Sequence, residues 1–489
     1  MIVKRSADET RAYLSDASNL KGTCDAVVFP ENEADVVEAL KRANERGERV
    51  TVAGAGTGLA GARTPMGGTV LATDNLDKII EIDERTRLAR VEPGVSLNRL
   101  RERARELGLF FPPSPTEEDC YVGGAIATNA SGGASFKYGA VRDYVKALRV
   151  VLPTGDTLAL RRGKQQAKER RLVLLAETGG AIAAQLPCYE SPDVKNAAGY
   201  FVKPYMDAID LFVGAEGTLG VIVEATIELA PLPEELFSCV AFFPSEKSGL
   251  DFLDEARERS RSEAGVSART LEYFDGGTLT LVGEKYPDVP ADAGAAIWFE
   301  EETTPEEIDE VAERWAELIV RHGGDPDDVW ASLDENDRRK VKEFRHDAPA
   351  AVNEYIAAND FKKLGTDVAV PVSEFRDYYE YVKRKIETFG LRYVIYGHGG
   401  DCHLHANMLP ENNKQFLHGR ECYRYLCIEA VRRGGTVSAE HGIGKLKRGY
   451  LVDMYGVDAV REMAALKATF DPKRILNVGV MFDESFFPR

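Results

Sequence analysis

The sequence lacks the paired cysteines that structural zinc sites and iron–sulfur clusters require. Its seven cysteines, at positions 24, 120, 188, 239, 402, 422 and 427, are odd in number, scattered and without any Cys-x2-Cys spacing. We therefore expect reduced thiols rather than a disulfide framework. Cys402 lies nearest to the histidine-rich segment described below, where we expect a small buried side chain rather than a nucleophile.

The chain is also poor in long apolar runs and in net positive charge. No run approaches the ~20 residues of a membrane-spanning helix, and residues 1–9 are too polar for a signal peptide. Lys and Arg total 62 against 80 Asp and Glu, and this net charge of −18 argues against nonspecific binding to nucleic acid or an anionic membrane. A cytoplasmic protein is expected, and peripheral contact with a membrane is compatible with that location.

Length and composition indicate several globular domains. The 489 residues exceed what one hydrophobic core usually supports. Pro231-Leu232-Pro233 marks a boundary, after which strand signals over residues 237–243 and 295–299 alternate with charged helices over residues 248–259 and 306–322. This pattern predicts an α+β fold for the second part of the chain.

Four of the seven histidines lie in two short segments, residues 397–407 and 438–444. The first segment follows a β-branched and aromatic run, and the second follows residues 434–437, which we predict to be a short strand. A single histidine is more often a hydrogen-bonded structural residue than a ligand. Imidazoles grouped with carboxylates suit a divalent transition metal, with zinc favoured, and we expect the ligands to be His398, His405 and Glu440.

A glycine-rich loop, residues 54–61, follows a predicted strand over residues 49–53. Glycines let backbone N–H groups approach a ligand closely, so such a loop suits phosphate oxygens, although it also suits a tight connection. Pro65 and the glycines at 67 and 68 interrupt the helix that a Rossmann fingerprint requires, and no Gly-Lys-Ser/Thr follows for a Walker loop. A different phosphate-binding fold is expected.

Other local patterns concern helices and strands of the first half. Asn32 can cap a helix that ends at Gly47. Residues 211–222 predict a strand, a glycine turn and a second strand. Residues 123–133 are rich in small side chains, which suit either a large flat ligand or close helix packing.

Taken in order, these motifs resemble the FAD-binding domain of the vanillyl-alcohol-oxidase/p-cresol-methylhydroxylase (PCMH) flavoproteins. The two histidine segments resemble the D-2-hydroxyacid dehydrogenase branch, which includes D-lactate, glycolate and D-2-hydroxyglutarate dehydrogenases. The motifs that carry the resemblance are Gly54-Ala55-Gly56-Thr57-Gly58, Gly123-Gly124 with Thr128-Asn129, Lys195-Asn196-Ala197-Ala198-Gly199-Tyr200, Gly214-Ala215-Glu216-Gly217-Thr218-Leu219-Gly220, and Asn477 after Phe470-Asp471-Pro472.

The resemblance implies FAD, with its pyrophosphate on the loop at 54–58. The FAD is expected to be noncovalent because no histidine stands in or near residues 54–65. The implied contact residues are Gly54, Ala55, Gly56, Thr57, Gly58, Leu59, Pro113, Ser114, Thr116, Gly123, Gly124, Ala127, Thr128, Asn129, Ser131, Glu216, Val221, Ile222 and Asn477.

The resemblance also implies a metal on His398, His405 and Glu440, with His441 as acid/base. Arg345 occupies the position of a substrate-carboxylate clamp, the alternative being a surface arginine on a charged helix. Asn407 is expected either to bind the substrate carboxylate or to cap its loop. We expect Asp401 to orient a ligand histidine.

Two positions depart from the family pattern. Position 403 is more commonly Asn, so His403 is an additional ligand, a substrate contact or a neutral variant. Thr366 stands where relatives often have a substrate-binding lysine, a role that Lys362, Lys363 or Lys447 could fill instead. Specificity for a dicarboxylate therefore does not follow.

The implied architecture is α+β in three parts. Residues 1–230 form a two-subdomain PCMH-type FAD-binding domain, residues 231–440 an α+β substrate-capping domain, and residues 441–489 return to the FAD domain. The expected activity is oxidation of a small D-2-hydroxyacid with an unidentified electron acceptor, in a protein that is a candidate homodimer. The alternatives are an FAD-dependent transferase of the alkylglycerone-phosphate synthase type and a flavin subunit of a glycolate oxidase complex.

Overall fold

The computed structural model describes residues 1–262, 265–332, 335–359, 361 and 363–488. Lys362, one of the lysines considered above, lies outside the described residues. Helices and strands are mixed throughout in an α+β fold. Among the described residues, no helix combines the length and the apolar character needed to cross a membrane.

The first part of the chain contains mainly short elements. They are β1 (Ile2–Lys4), α1 (Ala7–Thr10), β2 (Ala26–Phe29), α2 (Glu33–Arg46), β3 (Val50–Ala53), β4 (Thr69–Ala72), β5 (Ile79–Asp83), β6 (Leu88–Val91), α3 (Leu97–Arg105), β7 (Leu109–Phe110), α4 (Val122–Thr128), α5 (Ser135–Tyr138), α6 (Val141–Tyr144), β8 (Val145–Val151), β9 (Thr157–Arg161), β10 (Arg171–Leu175), β11 (Ala181–Gln185), α7 (Ala208–Phe212), β12 (Val221–Glu228) and β13 (Ala230–Pro231).

The second part has longer elements. They are β14 (Glu235–Phe243), α8 (Glu246–Ser262), β15 (Ala268–Asp275), α9 (Gly276–Val282), β16 (Ala295–Thr303), α10 (Ile308–Arg321), β17 (Trp330–Ala331), α11 (Glu335–Ala358), β18 (Leu364–Gly365), β19 (Val368–Ala369), α12 (Phe375–Thr388), β20 (Arg392–His398), β21 (His403–Leu409), α13 (Asn413–Arg432) and α14 (Arg448–Phe470).

The first part has two larger sheets, besides the two-stranded sheets β10-β11 and β13-β7. One has the order β1-β2-β4-β3, with parallel pairing of β4 to β2 and β3 and antiparallel pairing of β1 to β2. The other is antiparallel, with the order β5-β6-β12-β8-β9. The predicted helix is confirmed as α2, where the Asn32 side chain accepts from the N–H of Asp35 and Gly47 ends the helix at φ 63°.

An antiparallel sheet of eight strands dominates the second part, with the order β17-β14-β16-β15-β20-β21-β18 and with β19 also paired to β21. Both faces are covered, as β14 shows. Val240 and Phe242 pack in a core with Phe344 of α11, whereas Cys239 and Phe243 pack in the core that includes α8 and α10. Side chains alternate along a strand, so these two sets lie on opposite faces of the sheet. Helices therefore cover both faces.

Two sequence predictions are wrong. Residues 211–213 are not a strand, because Asp207 accepts from the N–H of Ile209 and caps the short buried helix α7. Residues 434–437 form a turn followed by irregular backbone, although the N–H of Thr436 donates to the carbonyl of Ala369. Short apolar runs suit a buried helix as well as a strand, so periodicity alone does not separate them.

The C-terminal segment returns to the N-terminal sheet. The N–H of Val50 donates to the carbonyl of Ile475 at 2.8 Å, and the N–H of Asn477 donates to the carbonyl of Val50 at 2.8 Å. A parallel bridge joins Val50 to Leu476. The end of the chain therefore extends the edge of the sheet whose strand β3 leads into the glycine-rich loop.

Candidate active site

A β-hairpin presents three of the histidines to one place. His398 ends β20, and His403 and His405 lie on β21, with His398 paired to His403 and Tyr396 paired to His405. Because strand side chains alternate, positions 403 and 405 share a face. The turn between the strands uses Cys402, a buried residue in the left-handed region at φ 54°.

Glu440 meets this histidine face from a separate loop. Its carboxylate oxygens lie 3.3 Å from Nε2 of His398 and 3.6 Å from Nε2 of His405. The potential ligand atoms of His398, His403, His405 and Glu440 all lie within 4.8 Å of one another. The structure thus brings together the three residues predicted as metal ligands and adds His403 to them.

The two predicted ligand histidines are oriented through their Nδ1 atoms. Nδ1 of His398 lies 2.5 Å from Oε1 of Glu272, and Nδ1 of His405 lies 2.8 Å from the carbonyl oxygen of Thr366. Carboxylate and carbonyl partners of this kind fix the imidazole and leave Nε2 for a ligand. For Asp401, predicted in this role, the structure shows instead contacts with Ser135 and Lys195.

Burial and neighbouring charges set the protonation of the cluster. Burial acts to raise the pKa of Glu272, but His398 and Arg345 lower it to about 2. Burial acts to lower the pKa of His398, but Glu272 raises it to about 9. Burial lowers the pKa of His403 to about 3, so that this imidazole is neutral. An incoming metal ion would displace a proton from His398, because ligand histidines are neutral.

Asp367 is a central residue of the site that the sequence did not reveal. This fully buried carboxylate accepts from the backbone N–H groups of Glu440 and His441 and from the Lys447 ammonium. It also accepts from the hydroxyl of Ser438 at 2.7 Å. Burial acts to raise the pKa of Asp367, but His441 and Lys447 hold it well below its usual range. Asp367 thereby fixes the loop that carries Glu440 and His441.

His441 lies between the cluster of His398, His403, His405 and Glu440 and a large cavity. Its Nε2 is 3.5 Å from Glu440 and its Nδ1 is 3.3 Å from Asp367. The side chain is 27% exposed, compared with 4% for His398. His441 is therefore the histidine of this site that is most accessible from the cavity.

The cavity is lined by the glycine-rich loop, by α4 and by the turn at 215–220. Glu440 and His441 form part of its wall. A Cβ atom added at Gly58 or Gly124 would meet nothing within 4 Å, so that the backbone there faces open space. A large ligand can therefore approach the main chain closely, which the predicted binding of FAD requires.

Comparisons with known proteins identify the family to which the chain belongs. Residues 24–161 match the FAD binding domain family, and residues 232–481 match the family of FAD linked oxidases, C-terminal domain. The chain belongs to the FAD-linked oxidases. It is thus a flavoprotein oxidoreductase of the PCMH-type superfamily, and FAD is its cofactor.

Similar FAD-linked oxidases include "Glycolate oxidase subunit GlcD" of Bacillus subtilis, 30% identical over 94% of this chain and 89% of that protein. The "D-lactate dehydrogenase" of Archaeoglobus fulgidus is 30% identical over 93% of this chain and 90% of that protein. The "D-2-hydroxyglutarate dehydrogenase" of Stutzerimonas stutzeri is 28% identical over 98% of this chain and 96% of that protein. All three similarities span both matched regions.

Solved structures share the fold of this FAD-linked oxidase at lower identity. The 4-ethylphenol oxidase of Gulosibacter chungangensis aligns with a TM-score of 0.70 at 18% identity, over 99% of this chain and 95% of that chain. An alkyldihydroxyacetonephosphate synthase aligns with a TM-score of 0.66 at 17% identity, over 97% and 81% of the two chains. These similarities establish the fold alone.

Most of the residues predicted to contact FAD line the cavity of this FAD-linked oxidase. The ones that do so are Gly54, Ala55, Gly56, Thr57, Gly58, Leu59, Thr116, Gly123, Gly124, Ala127, Thr128, Ser131, Glu216, Ile222 and Asn477.

Four predicted residues occupy other positions. Val221 is buried in the core on the face of β12 opposite to Ile222. The carbonyl of Pro113 accepts from Arg101, the hydroxyl of Ser114 accepts from the N–H of Ala134, and the side chain of Asn129 accepts from the N–H of Arg142. These three residues shape the loops that border the cavity.

Glu216 and Asn477 connect the cavity wall to two other segments. The carboxylate of Glu216 accepts from the N–H groups of Ile443 and Gly444, each at 2.8 Å. Asn477 accepts from the N–H of Val52 at 2.8 Å and donates to the carbonyl of Glu216 at 2.7 Å. Together the two side chains thus join β3, the turn at residue 216 and the loop after His441.

The predicted substrate residues lie on the second part of the chain. Arg345 is only 11% exposed, donates to the hydroxyl of Thr116 at 2.9 Å and lies 4.0 Å from Glu272. The side chain is therefore mostly shielded from solvent, and its role as a carboxylate clamp stays a prediction. Asn407 is buried, and its Oδ1 has no hydrogen-bond partner among the described residues.

Thr366 uses its side chain within the fold. Its hydroxyl donates to the carbonyl of Leu404 and accepts from the N–H of Ala406. Of the lysines considered as substitutes for a substrate-binding lysine, Lys447 is paired with Asp367 at 2.6 Å.

Proposed function

We propose that this FAD-linked oxidase oxidises a small D-2-hydroxyacid, of the lactate or glycolate kind, to the 2-oxoacid. The observation that carries the proposal is the position of Glu440, which belongs both to the histidine cluster and to the wall of the FAD cavity, with His441 next to it in that wall. Relatives named for lactate, glycolate and 2-hydroxyglutarate support the same substrate class.

The fit of FAD rests on the backbone of the cavity. Open space beside Gly58 and Gly124 allows close approach of a ligand to the main chain, and the loop from Gly54 to Gly58 offers N–H groups to phosphate oxygens. No histidine lies in or near that loop, which supports noncovalent binding. When bound, FAD supplies a two-electron hydride acceptor.

The fit of a divalent ion rests on the donors of the cluster. His398, His405 and Glu440 form the two-histidine, one-carboxylate set that catalytic zinc sites use, and Glu272 and the Thr366 carbonyl hold the two imidazoles. A bound ion would lower the pKa of a hydroxyl group that it coordinates.

His441 is the base in this proposal. Oxidation of a 2-hydroxyacid removes a hydride from C2 and a proton from the hydroxyl group, and His441 takes the proton. Asp367 contacts Nδ1 of His441 at 3.3 Å and also holds its backbone N–H, so the ring is kept in place. Such a pair stabilises the imidazolium that forms on proton transfer.

Arg345 and Asn407 orient the substrate. The guanidinium of Arg345 can bind a carboxylate through two N–H groups, and Thr116 already fixes one end of the side chain. Asn407 supplies a buried amide beside His405. Asn407 lies on β21 of the eight-stranded sheet, and Glu272, the neighbour of Arg345, lies on β15 of the same sheet.

This one sheet includes the strands from Glu235 to Leu409. It supports a substrate-capping domain over residues 231–440, between a FAD-binding domain at 1–230 and a returning segment at 441–489.

A second candidate function follows from the name of one relative. The Bacillus subtilis protein is called a subunit, so this chain is a candidate flavin subunit whose electrons leave through a partner protein. Both functions share the reduction of FAD by a hydroxyacid and differ in the electron acceptor. A transferase of the alkylglycerone-phosphate synthase type would show no net reduction of FAD.

Anaerobic mixing of the purified holoenzyme with D- and L-2-hydroxyacids tests the proposal. Bleaching of the flavin absorbance by a D-acid, and a slower reaction with its L-enantiomer, is expected. No bleaching by any acid of the panel would overturn the proposal.

Metal analysis of His405→Ala provides a second test. His418→Ala is the control, because His418 lies on α13 next to Phe389 and outside the cluster. Retained metal in His405→Ala would remove His405 from the ligands.

A further inference from the structure

His403 is a buried imidazole with at least one ring nitrogen that has no partner among the described residues. The residue is 0% exposed. In the part of the chain that the structure describes, neither Nδ1 nor Nε2 meets hydrogen-bond geometry with any group. Its ring centre lies 4.6 Å from that of His405 and 5.2 Å from that of His398. A buried polar group without a partner is costly, so this side chain calls for a ligand.

Asp367 accounts for at most one nitrogen of His403. Oδ1 of Asp367 lies 3.1 Å from Nε2 of His403, within ion-pair distance. Oδ1 otherwise accepts from the N–H of Glu440, whereas Ser438, His441 and Lys447 donate to Oδ2. Oδ1 therefore has a lone pair for Nε2, and Nδ1 of His403 is left without a partner among the described residues.

We propose that His403 is a fourth protein ligand of the divalent ion, together with His398, His405 and Glu440. The proposal rests on the ion of the proposed function and extends its ligand set. The potential ligand atoms of the four residues lie within 4.8 Å of one another, and His403 shares the inward face of β21 with His405. The nitrogen of His403 that faces Asp367 then has an outer partner, as ligand histidines usually do.

A fourth ligand changes what the ion can accept. Three imidazoles and one carboxylate fill a tetrahedral ion and leave two positions on an octahedral one. A substrate that binds through its hydroxyl and carboxylate oxygens needs two positions. This ligand set therefore favours a six-coordinate ion such as Mn²⁺, Fe²⁺ or Co²⁺ over tetrahedral Zn²⁺.

The competing explanation for the arrangement of His403 is a cluster that binds no ion. Nζ of Lys195 lies 3.0 Å from Glu440 and 3.8 Å from Asp401, so an ammonium group already offsets part of the negative charge. Under that explanation His403 fills space beside His405 and has no ligand. The two explanations differ in the number of imidazoles bound to an added ion.

X-ray absorption at the metal edge of the full-length holoenzyme, loaded with Mn²⁺ or Co²⁺ alone, decides between them. Three imidazoles are expected in the wild type and two in His403→Asn. In a chelator competition, His403→Asn should bind the ion at least roughly 10-fold more weakly, since even losing an outer partner of a ligand lowers metal affinity by about 10–100-fold. His418→Asn is the matched control and should behave as the wild type.

The outcomes separate this proposal from the proposed function. An ion with two imidazoles in the wild type, or equal affinity in His403→Asn, overturns the role of His403 and leaves the other three ligands standing. A wild type that binds no ion overturns the metal site as a whole, and flavin bleaching then still tests the oxidation. If His403→Asn loses FAD or unfolds, the imidazole count of the wild type decides alone.

Discussion

Nδ1 of His405 lies 2.8 Å from the carbonyl oxygen of Thr366. Because a carbonyl only accepts, the proton of the neutral imidazole stands on Nδ1, and Nε2 is left facing Glu440 at 3.6 Å. The position of Thr366 is in turn fixed by its own hydroxyl, which bridges two backbone groups of β21. One threonine thus determines both the tautomer and the direction of a predicted metal ligand.

Substitution Thr366→Val should weaken metal binding. Valine has the shape of threonine but leaves the N–H of Ala406 and the carbonyl of Leu404 without this partner, at a stability cost of about 1–3 kcal/mol. A less firmly held His405 should lower metal affinity by roughly 10–100-fold. Thermal unfolding and chelator titration measure the two effects. Thr366→Ser keeps the hydroxyl and should retain most of the affinity, and equal affinity in Thr366→Val would contradict the orienting role.

Substitution Gly124→Ala should have opposite effects on the cofactor-free and FAD-bound protein. Gly124 lies within α4, where alanine should stabilise the cofactor-free protein by about 0.5–1 kcal/mol. The added methyl group points into the space proposed for FAD, where overpacking costs about 1–3 kcal/mol. The Kd for FAD should rise by roughly 10–100-fold.

Urea unfolding of the cofactor-free protein and FAD titration test these effects. Gly449→Ala is the matched control, because Gly449 lies in α14 with open space around it and does not line the cavity. An unchanged FAD affinity in Gly124→Ala would mean that the cofactor passes elsewhere.

Substitution Arg345→Lys should reduce the reaction with the hydroxyacid. Lysine keeps the charge but loses the two parallel N–H groups that match a carboxylate. A lost charged hydrogen bond is worth about 1.5–3 kcal/mol, so kcat/KM should fall by roughly 10–100-fold. Stopped-flow reduction of FAD at varied hydroxyacid concentration measures the change. Arg339→Lys, on the exposed side of the same helix, should have no effect.

The pH dependence of stability should contain a contribution from Glu216. Burial raises the pKa of this carboxyl from 4.5 to about 7, despite the N–H groups of Ile443 and Gly444. Between these values the folded protein binds a proton that the unfolded chain does not, so stability falls as the pH rises from 4.5 to about 7. The full contribution is on the order of 3 kcal/mol.

Comparison with Glu216→Gln isolates that contribution, because glutamine does not titrate. Both proteins are compared without cofactor. The urea-unfolding free energy of the wild type minus that of Glu216→Gln should fall as the pH rises from 4.5 to about 7 and then level off. Glu224→Gln, on the neighbouring strand β12, serves as the control. Parallel pH profiles for the wild type and Glu216→Gln would contradict the raised pKa.

Local signals in the sequence predicted local structure well. Asn32 and Gly47 have the chemistry of helix ends, and both end α2 as expected. Residues 211–213 misled the prediction, because an apolar run of that length fits a buried helical turn as readily as a strand. The decisive residue was Asp207, whose capping bond depends on the backbone conformation that follows it.

The site was predictable where its residues form motifs and not elsewhere. His398, His405 and Glu440 lie in glycine-rich segments that attract attention in the sequence. Glu272 lies in the middle of β15, more than a hundred residues before the histidine that it contacts, and Asp367 lies in a short loop between β18 and β19. Nothing local distinguishes such carboxylates from the other acidic residues of the chain, so only the fold reveals their roles.

The contact between Val50 and residues 475–477 has a consequence for the order of assembly in the cell. The strand leading into the glycine-rich loop is synthesised long before Ile475 and Asn477, which bind its edge and lie 425 residues further along the chain from Val50 and Val52. Domains generally fold from the N-terminus during synthesis, but this one stays incomplete until residues 475–477 have been made. Nascent chains that stop before residue 475 are therefore expected to carry no flavin.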